Sequence, residues 1–250
     1  MQNSLEPLKV RIDSCDLPLR NLRAATYNIH KCVGSDRRPD PVRIAAVIDE
    51  LNADVVGLQE VDNRSGGSSE SAQMDFIAGK TGYEAIPGPT IKSTSGRYGN
   101  VLLTRWPVLE KSEIDISFSH REPRGAIDVV LSIHDQEVRV IVTHLGLTFP
   151  ERWQQITRLS DVITGRPAPL LILLGDINEW FPTARGVRRL HRILGKSPVI
   201  RSFPARWPLL PLDRIWVKPR SALKSARVHK SRLARHASDH LPVVGEIRVP

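Results

Sequence analysis

Apolar runs and helical spacings alternate along this chain, and their order predicts its elements. Residues 22–30, LRAATYNIH, form a short apolar run that turns polar at its end, which predicts a strand. In DPVRIAAVIDELN (40–52), Asp40 suits an N-cap and Pro41 the first helical position. Val42, Ile44, Ala45, Val47, Ile48 and Leu51 follow at helical spacing. ADVVGLQEVD (53–62) predicts a strand ending near Glu60, and a polar Gly/Ser-rich loop (63–73) leads into a short helix near MDFIAGKTG. A strand is expected at 99–108, with Pro107 ending it, and two more within 126–147 around the polar turn HDQE. A helix over 150–165 has Pro150 at its start and Gly165 at its stop. The run from Leu170 to Leu174 predicts an interior strand, and 182–195 a basic helix. The last strands fall at 212–217, near KSARVHKS, and at 241–249.

Many hairpin-linked strands interrupted by three or four helices favour an α+β fold with two packed sheets and helices outside. The chain holds no repeat or dividing linker, so one domain over 21–250, preceded by an N-terminal extension (1–20), is the expectation. A content of 40% hydrophobic and 25% charged residues fits a globular protein with a sizeable core. Two cysteines, Cys15 and Cys32, are too few for a disulfide framework. With no signal-peptide core and no apolar run of membrane-spanning length, the expected location is cytoplasmic, with a monomer as the default state.

Charge alters this picture locally. Residues 183–236 carry 15 Lys and Arg against one acid, Asp213, for a net +14 within a chain of net +9. So localised a surplus points to a polyanionic partner. A DNA or RNA backbone is the first expectation and an anionic lipid the alternative. For lipid, exposed Trp207 and Trp216 would help at the interface. Arg185, Arg188, Arg189 and Arg192 would line one side of the basic helix, with Val187, Leu190 and Leu194 packing on the other.

Polar residues recur where apolar strands end. In chain order they are Asn28, Glu60, Asn100, His144, Asp176, Asn178, Asp213, Asp239 and His240. Each alone reads as a turn or cap residue. Four carboxylates, two histidines and several amides together are what phosphodiester hydrolysis requires. Carboxylates hold a hard divalent cation, a carboxylate or imidazole takes a proton from water, and amides and imidazoles bind developing charge.

The stretches ATYNIH, LQEVD, YGNVLLTRWP, VTHLGL, LLGDINEW, LDRIW and SDHLPVVGEI resemble, in this order, the endonuclease/exonuclease/phosphatase superfamily, with its deoxyribonuclease I-like and exonuclease III-like fold. They span residues 24–247. The resemblance implies a four-layer α/β/β/α sandwich of two mixed sheets, with the active site at one end. It implies a metal-dependent phosphoric ester hydrolase, nuclease-like or acting on a phospholipid, inositol phosphate or other small phosphoester. A non-catalytic binding module on the same fold would be expected to lack a key residue. Glu60 would be the principal metal ligand, with Asn28 and Asp239 on the metal or the phosphate. Asp176 would orient or deprotonate water, held by Asn178. Asp213 would pair with His240 beside the scissile phosphate. His144 would contact a phosphate oxygen or help the leaving group, and Asn100, Tyr98 and Arg124 would bind phosphate, with Arg121 a rival for the last role. Mg2+ is the implied ion. The family's nuclease branches often have an acid two residues after this asparagine. Here it is His30, which brings Mn2+ into consideration.

Overall fold

A computed structural model describes residues 20–63, 72–93 and 96–250. Cys15, nearly all of the expected N-terminal extension and most of the 63–73 loop lie outside the described residues. Strand β1 (Asn21–Asn28) is followed by α1 (Pro41–Leu51), β2 (Val55–Asp62), α2 (Gln73–Thr81) and a hairpin of β3 (Glu84–Ser93) with β4 (Gly96–Thr104). Next come β5 (Val108–Asp115), β6 (Gly125–Ile133) and β7 (Gln136–His144), then α3 (Phe149–Gly165) and β8 (Leu170–Asp176). Helix α4 (Arg185–Leu194), β9 (Asp213–Lys218), β10 (Leu223–Val228), the one-turn α5 (Ala234–Ala237) and β11 (Val243–Arg248) complete the order.

Local chemistry sets the helix starts. The Asp40 carboxylate accepts from the Arg43 backbone N–H at 3.0 Å, and Pro41 supplies a preset φ at the first turn of α1. Thr148 and Glu151 form a capping box at α3. The strands assemble into a six-stranded sheet, in the order β10-β11-β1-β2-β4-β3, and a five-stranded sheet, β5-β6-β7-β8-β9. Both mix parallel and antiparallel pairs. Their facing surfaces meet in a core that includes Val55, Leu102, Val129, Val140, Ile172 and Ile215. Ile44, Ile48 and Ile77 fix α1 and α2 to the outer face of the first sheet, and Ile156, Leu159, Val187 and Leu190 fix α3 and α4 to the second. The result is the four-layer α/β/β/α sandwich.

Several expectations are corrected. The strand placed at 99–108 runs from Gly96 to Thr104, and the helix placed at 182–195 begins at Arg185. Strands β3 and β5 had no expected counterpart. Trp216 is not exposed but buried to 1%. The alternation of β9 sends Ile215 and Val217 into the core between the sheets and turns Trp216 to the helix side, its ring 5.9 Å from that of His191. Trp207 is 70% exposed.

The basic segment does not form one stripe. Strand β9 runs away from the sheet end that carries Asp213, and β10 returns toward it. Lys218, Arg220 and Lys224 therefore lie at one end of the sandwich, and Arg201, Arg206, Lys230 and Arg232 at the other. On α4, Arg185 stacks over Trp153 at 3.9 Å and Arg189 pairs with Asp161 of α3 at 3.4 Å, while Arg188 and Arg192 face solvent.

Candidate active site

Strand register builds the centre of the site. His144 of β7 lies opposite Asp176 of β8, which lies opposite Asp213 of β9. Residues directly opposite share a sheet face, so this register sets an imidazole and two carboxylates in one row. Gly175 permits the close approach: a Cβ there would meet the Thr143 carbonyl oxygen at 2.2 Å. From the other sheet, β1 delivers Asn28 and β2 delivers Glu60. The register between β2 and β4 shifts between Leu58 and Val61, and Glu60 sits there at φ 58. A bulge of this kind re-aims a side chain at the cost of about 1–2 kcal/mol for a left-handed residue other than glycine.

Asp176, 1% exposed, is the hub. Its Oδ1 accepts from the Asn178 backbone N–H at 2.9 Å, and its Oδ2 accepts from Asn28 Nδ2 at 3.1 Å. His144 Nε2 stands 3.4 Å from the same Oδ2 and His240 Nε2 3.8 Å from it. Asn28 Nδ2 also donates to Glu60 Oε1 at 3.1 Å, so one amide ties Glu60 to Asp176. Asn178, left-handed at φ 53, donates from Nδ2 to the Leu145 carbonyl at 2.8 Å. The bond from the Asn178 N–H to Asp176 Oδ1 is the Asx-type turn that an Asp-x-Asn end to a strand favours.

The two histidines differ electrostatically. His240 Nδ1 donates to Asp213 Oδ2 at 2.8 Å, and Ser202 Oγ donates to the same oxygen at 2.5 Å. Burial opposes the charged ring of His240, but the Asp213 and Asp176 carboxylates outweigh it and raise its pKa to about 10. Burial lowers the pKa of His144 to about 3, with Asp176 pulling the other way and Arg124 adding to the fall. Arg124 Nη1 donates to His144 Nδ1 at 3.1 Å, and Asn178 Nδ2 stands 3.1 Å from its Nε2, so both ring nitrogens face donors.

The remaining candidates take different positions. Tyr98 is 6% exposed, and its phenol pKa is raised by burial and then by the nearby Glu60 and Glu122. Arg124 is buried at the row, whereas its rival Arg121 is exposed. Asn100 directs its amide nitrogen to the Gly125 carbonyl at 2.9 Å. Asp239 is 43% exposed in its side chain and stands 3.7 Å from His30 Nδ1. Ser202 and Ser238 belong to the site but were not among the candidates. Ser238 Oγ donates to the Asn28 carbonyl at 2.8 Å and accepts from the His240 N–H at 3.2 Å. Ser238 lies inside the SDH stretch, while no motif marks Ser202. Cys32 is buried, and burial raises its thiol pKa to about 12, so it is an inert neighbour.

Two sets of side chains offer donors to a metal. At the open rim, Glu60 and Asp239 are hard ligands suited to Mg2+ or Mn2+. Asn28 would join them by turning its amide, whose Nδ2 now donates to Glu60 and whose Oδ1 accepts from the His30 N–H at 3.0 Å. Deeper in, one ligand atom each from Asp176, Asp213 and His240 lie within 4.8 Å of one another. That buried group could hold a metal, but only by displacing the proton that two carboxylates keep on His240. The rim set therefore fits the ion better.

The model of the endonuclease/exonuclease/phosphatase family matches residues 25–240, and this chain belongs to that family. Its members hydrolyse phosphoesters, generally with a divalent metal, and the chain is a phosphoric ester hydrolase of this class. It is 28% identical over 247 residues to the uncharacterized protein YbhP of Escherichia coli (strain K12), covering 92% of this chain and 97% of that one. Among solved structures it resembles the mannosyl-6-phosphatase Bt3783 of Bacteroides thetaiotaomicron, with a TM-score of 0.75, 20% identity and coverage of 91% of this chain and all of that one. It also resembles a humanized D. rerio TDP2, with a TM-score of 0.70, 19% identity and coverage of 92% of this chain and all of that one. The structural likenesses establish the deoxyribonuclease I-like fold.

Proposed function

We propose that the chain is a divalent-metal-dependent phosphodiester hydrolase whose chemistry centres on Asp176. The observation that carries this reading is the convergence on Asp176 Oδ2 of Asn28, His144 and His240, with Asp213 behind His240. Asp176 receives a proton from water as the water oxygen bonds to phosphorus. The protonated His240 faces the oxygen of the breaking P–O ester bond and donates its Nε2 proton to it. Asp213 and Ser202 hold that ring in orientation. His144, neutral and held at Nε2 by the Asn178 amide, stands beside a non-bridging oxygen, and Tyr98 and Arg124 flank the phosphate. Glu60, Asp239 and Asn28 would hold the metal, which when bound neutralises phosphate charge.

A nucleic-acid backbone is the polyanion that the overall basic surplus favours. A duplex would need a continuous basic track, and the division of the surplus between two ends of the sandwich weakens that support. The hydrolase reading is tested with a generic soluble phosphodiester, bis(p-nitrophenyl) phosphate, beside the matching monoester, in Mg2+ or Mn2+ and then in chelator. Metal-dependent turnover favouring the diester is expected. Turnover that persists undiminished in chelator would overturn the metal mechanism, and preference for the monoester would overturn the diester assignment.

A further inference from the structure

Apolar side chains that the fold leaves in the open gather at the catalytic end. Among the described residues, nine large hydrophobic side chains are more than half exposed. Six of them, Leu147, Phe149, Trp180, Phe181, Trp207 and Leu209, belong to chain adjoining the row His144–Asp176–Asp213. Leu147 and Phe149 follow His144 by a few residues, and Trp180 and Phe181 come just beyond Glu179 after the Asp176–Asn178 turn. These four, with Arg152 and Glu179, line an open hollow of about 500 Å³. Trp207 and Leu209 cap a tight loop closed by the pairing of Phe203 with Leu210. At the base of that loop the Phe203 ring packs on His240, 4.8 Å between centroids, and Ser202 holds Asp213. Two apolar ridges thus rise from the chain that builds the active site.

The same end carries the cationic groups that the topology separates from the rest of the basic segment. Arg201, Arg206, Lys230 and Arg232 are exposed there, and Arg206 is the neighbour of Trp207. Contiguous exposed apolar surface rimmed by charge marks an interaction site. A second protein seated on both ridges would close the phosphate site between them, so the occupant has to be substrate-bearing. Leu147 and Leu209 have no π face for a base to stack on, whereas leucine and tryptophan together suit the boundary of headgroups and acyl chains. Arginine and lysine beside them complement lipid phosphates.

We propose that this end docks on an anionic phospholipid surface, seating Trp207–Leu209 and the Phe149–Trp180–Phe181 ridge among the headgroups, so that the phosphoester reaching Asp176 is that of a lipid headgroup. The inference rests on the hydrolase reading for its substrate, but docking is measured without turnover. The full chain is sedimented with vesicles of phosphatidylcholine alone and of phosphatidylcholine mixed with phosphatidylglycerol, and in parallel titrated with single-stranded and duplex oligonucleotides. Binding to the anionic vesicles, weakened by salt and absent on phosphatidylcholine alone, is expected. Removing two exposed apolar side chains in Trp207→Ala/Leu209→Ala, or in Trp180→Ala/Phe181→Ala, should weaken that binding by about tenfold or more. Cleavage of bis(p-nitrophenyl) phosphate by these variants should stay at the wild-type rate. Wild-type affinity of both variants for anionic vesicles, or no vesicle binding by the parent chain, overturns the proposal. Oligonucleotide binding lost in the same variants would overturn it in favour of nucleic acid. Inert diester with intact vesicle binding would instead remove the hydrolase reading and leave the docking surface standing.

Discussion

Asp176 and Glu60 accept from the same amide nitrogen of Asn28, yet they belong to opposite kinds of environment. Asp176 is 1% exposed, ends an interior strand and is ringed by nitrogens that other strands hold in place. Glu60 is half-buried, sits on a left-handed bulge and shares its rim with the half-exposed Asp239 and His30. In the closed half, the protein itself supplies the charges and hydrogen bonds around the carboxylate, already oriented. In the open half, acidic groups face solvent beside a backbone that glycine would adopt more easily. Strain of that kind persists where surrounding structure enforces it, and an ion that gathers the rim oxygens gives it a use. On the proposed reading, proton transfer belongs to the closed half and metal retention to the open one.

The largest expected effect comes from breaking the closed half. Asp176→Asn keeps the shape of the hub and removes its basicity, so turnover of a small diester should fall roughly 100- to 10,000-fold. The amide cannot accept from every present donor, and the melting temperature should also drop modestly, by the equivalent of about 1–3 kcal/mol for one orphaned buried group. Wild-type turnover in Asp176→Asn would move the chemistry elsewhere.

Next in size are two pH effects, measured on metal-free protein. The folded pKa of His240 is raised from 6.5 to about 10, so its stabilisation is complete below 6.5 and is lost as pH rises toward 10. The folded pKa of His144 is lowered from 6.5 to about 3, so burying it neutral costs stability as pH falls from 6.5 toward 3. Denaturation midpoints against pH should show an alkaline decline that His240→Gln flattens and an acid decline that His144→Gln flattens. An alkaline limb unchanged in His240→Gln would contradict the charged ring.

What was legible in the sequence follows the same division. Interior strands β1, β2, β7 and β8 announce themselves as apolar runs, and the residues ending or immediately following them were found because buried strands seldom stop in Asp, Asn, Glu or His without reason. The two strands with no expected counterpart, β3 and β5, are both edges. β3 carries Pro87, Gly88 and Pro89, and β5 reads VLEKSEID with nearly every side chain exposed. Proline and charge protect a sheet edge and erase the strand signal at the same time. Ser202 was illegible for another reason. It lies in the long connection between α4 and β9, and only the folded path brings it to Asp213. The basic segment misled through composition: its sum is real, but strand direction, which the sum cannot encode, divides it.

A smaller effect would sharpen the role of that connection. Ser202→Ala removes one of two donors to Asp213 Oδ2, while His240 keeps the other. A loss of about 1 kcal/mol is expected, with a diester rate reduced far less than in Asp176→Asn. Equal rate losses in the two variants would place Ser202 in the chemistry instead of behind it.

The division between the halves is tested most directly by titrating Mg2+ and Mn2+ into wild-type, Glu60→Gln and Asp176→Asn proteins while following hydrolysis of bis(p-nitrophenyl) phosphate. Glu60→Gln should need much more metal for half-maximal rate and recover a substantial part of the wild-type rate at saturation. Asp176→Asn should saturate at the wild-type metal concentration and at a far lower rate. An unshifted metal requirement in Glu60→Gln, with the large shift appearing in Asp176→Asn, would put the ion in the buried Asp176–Asp213–His240 group and contradict the assignment.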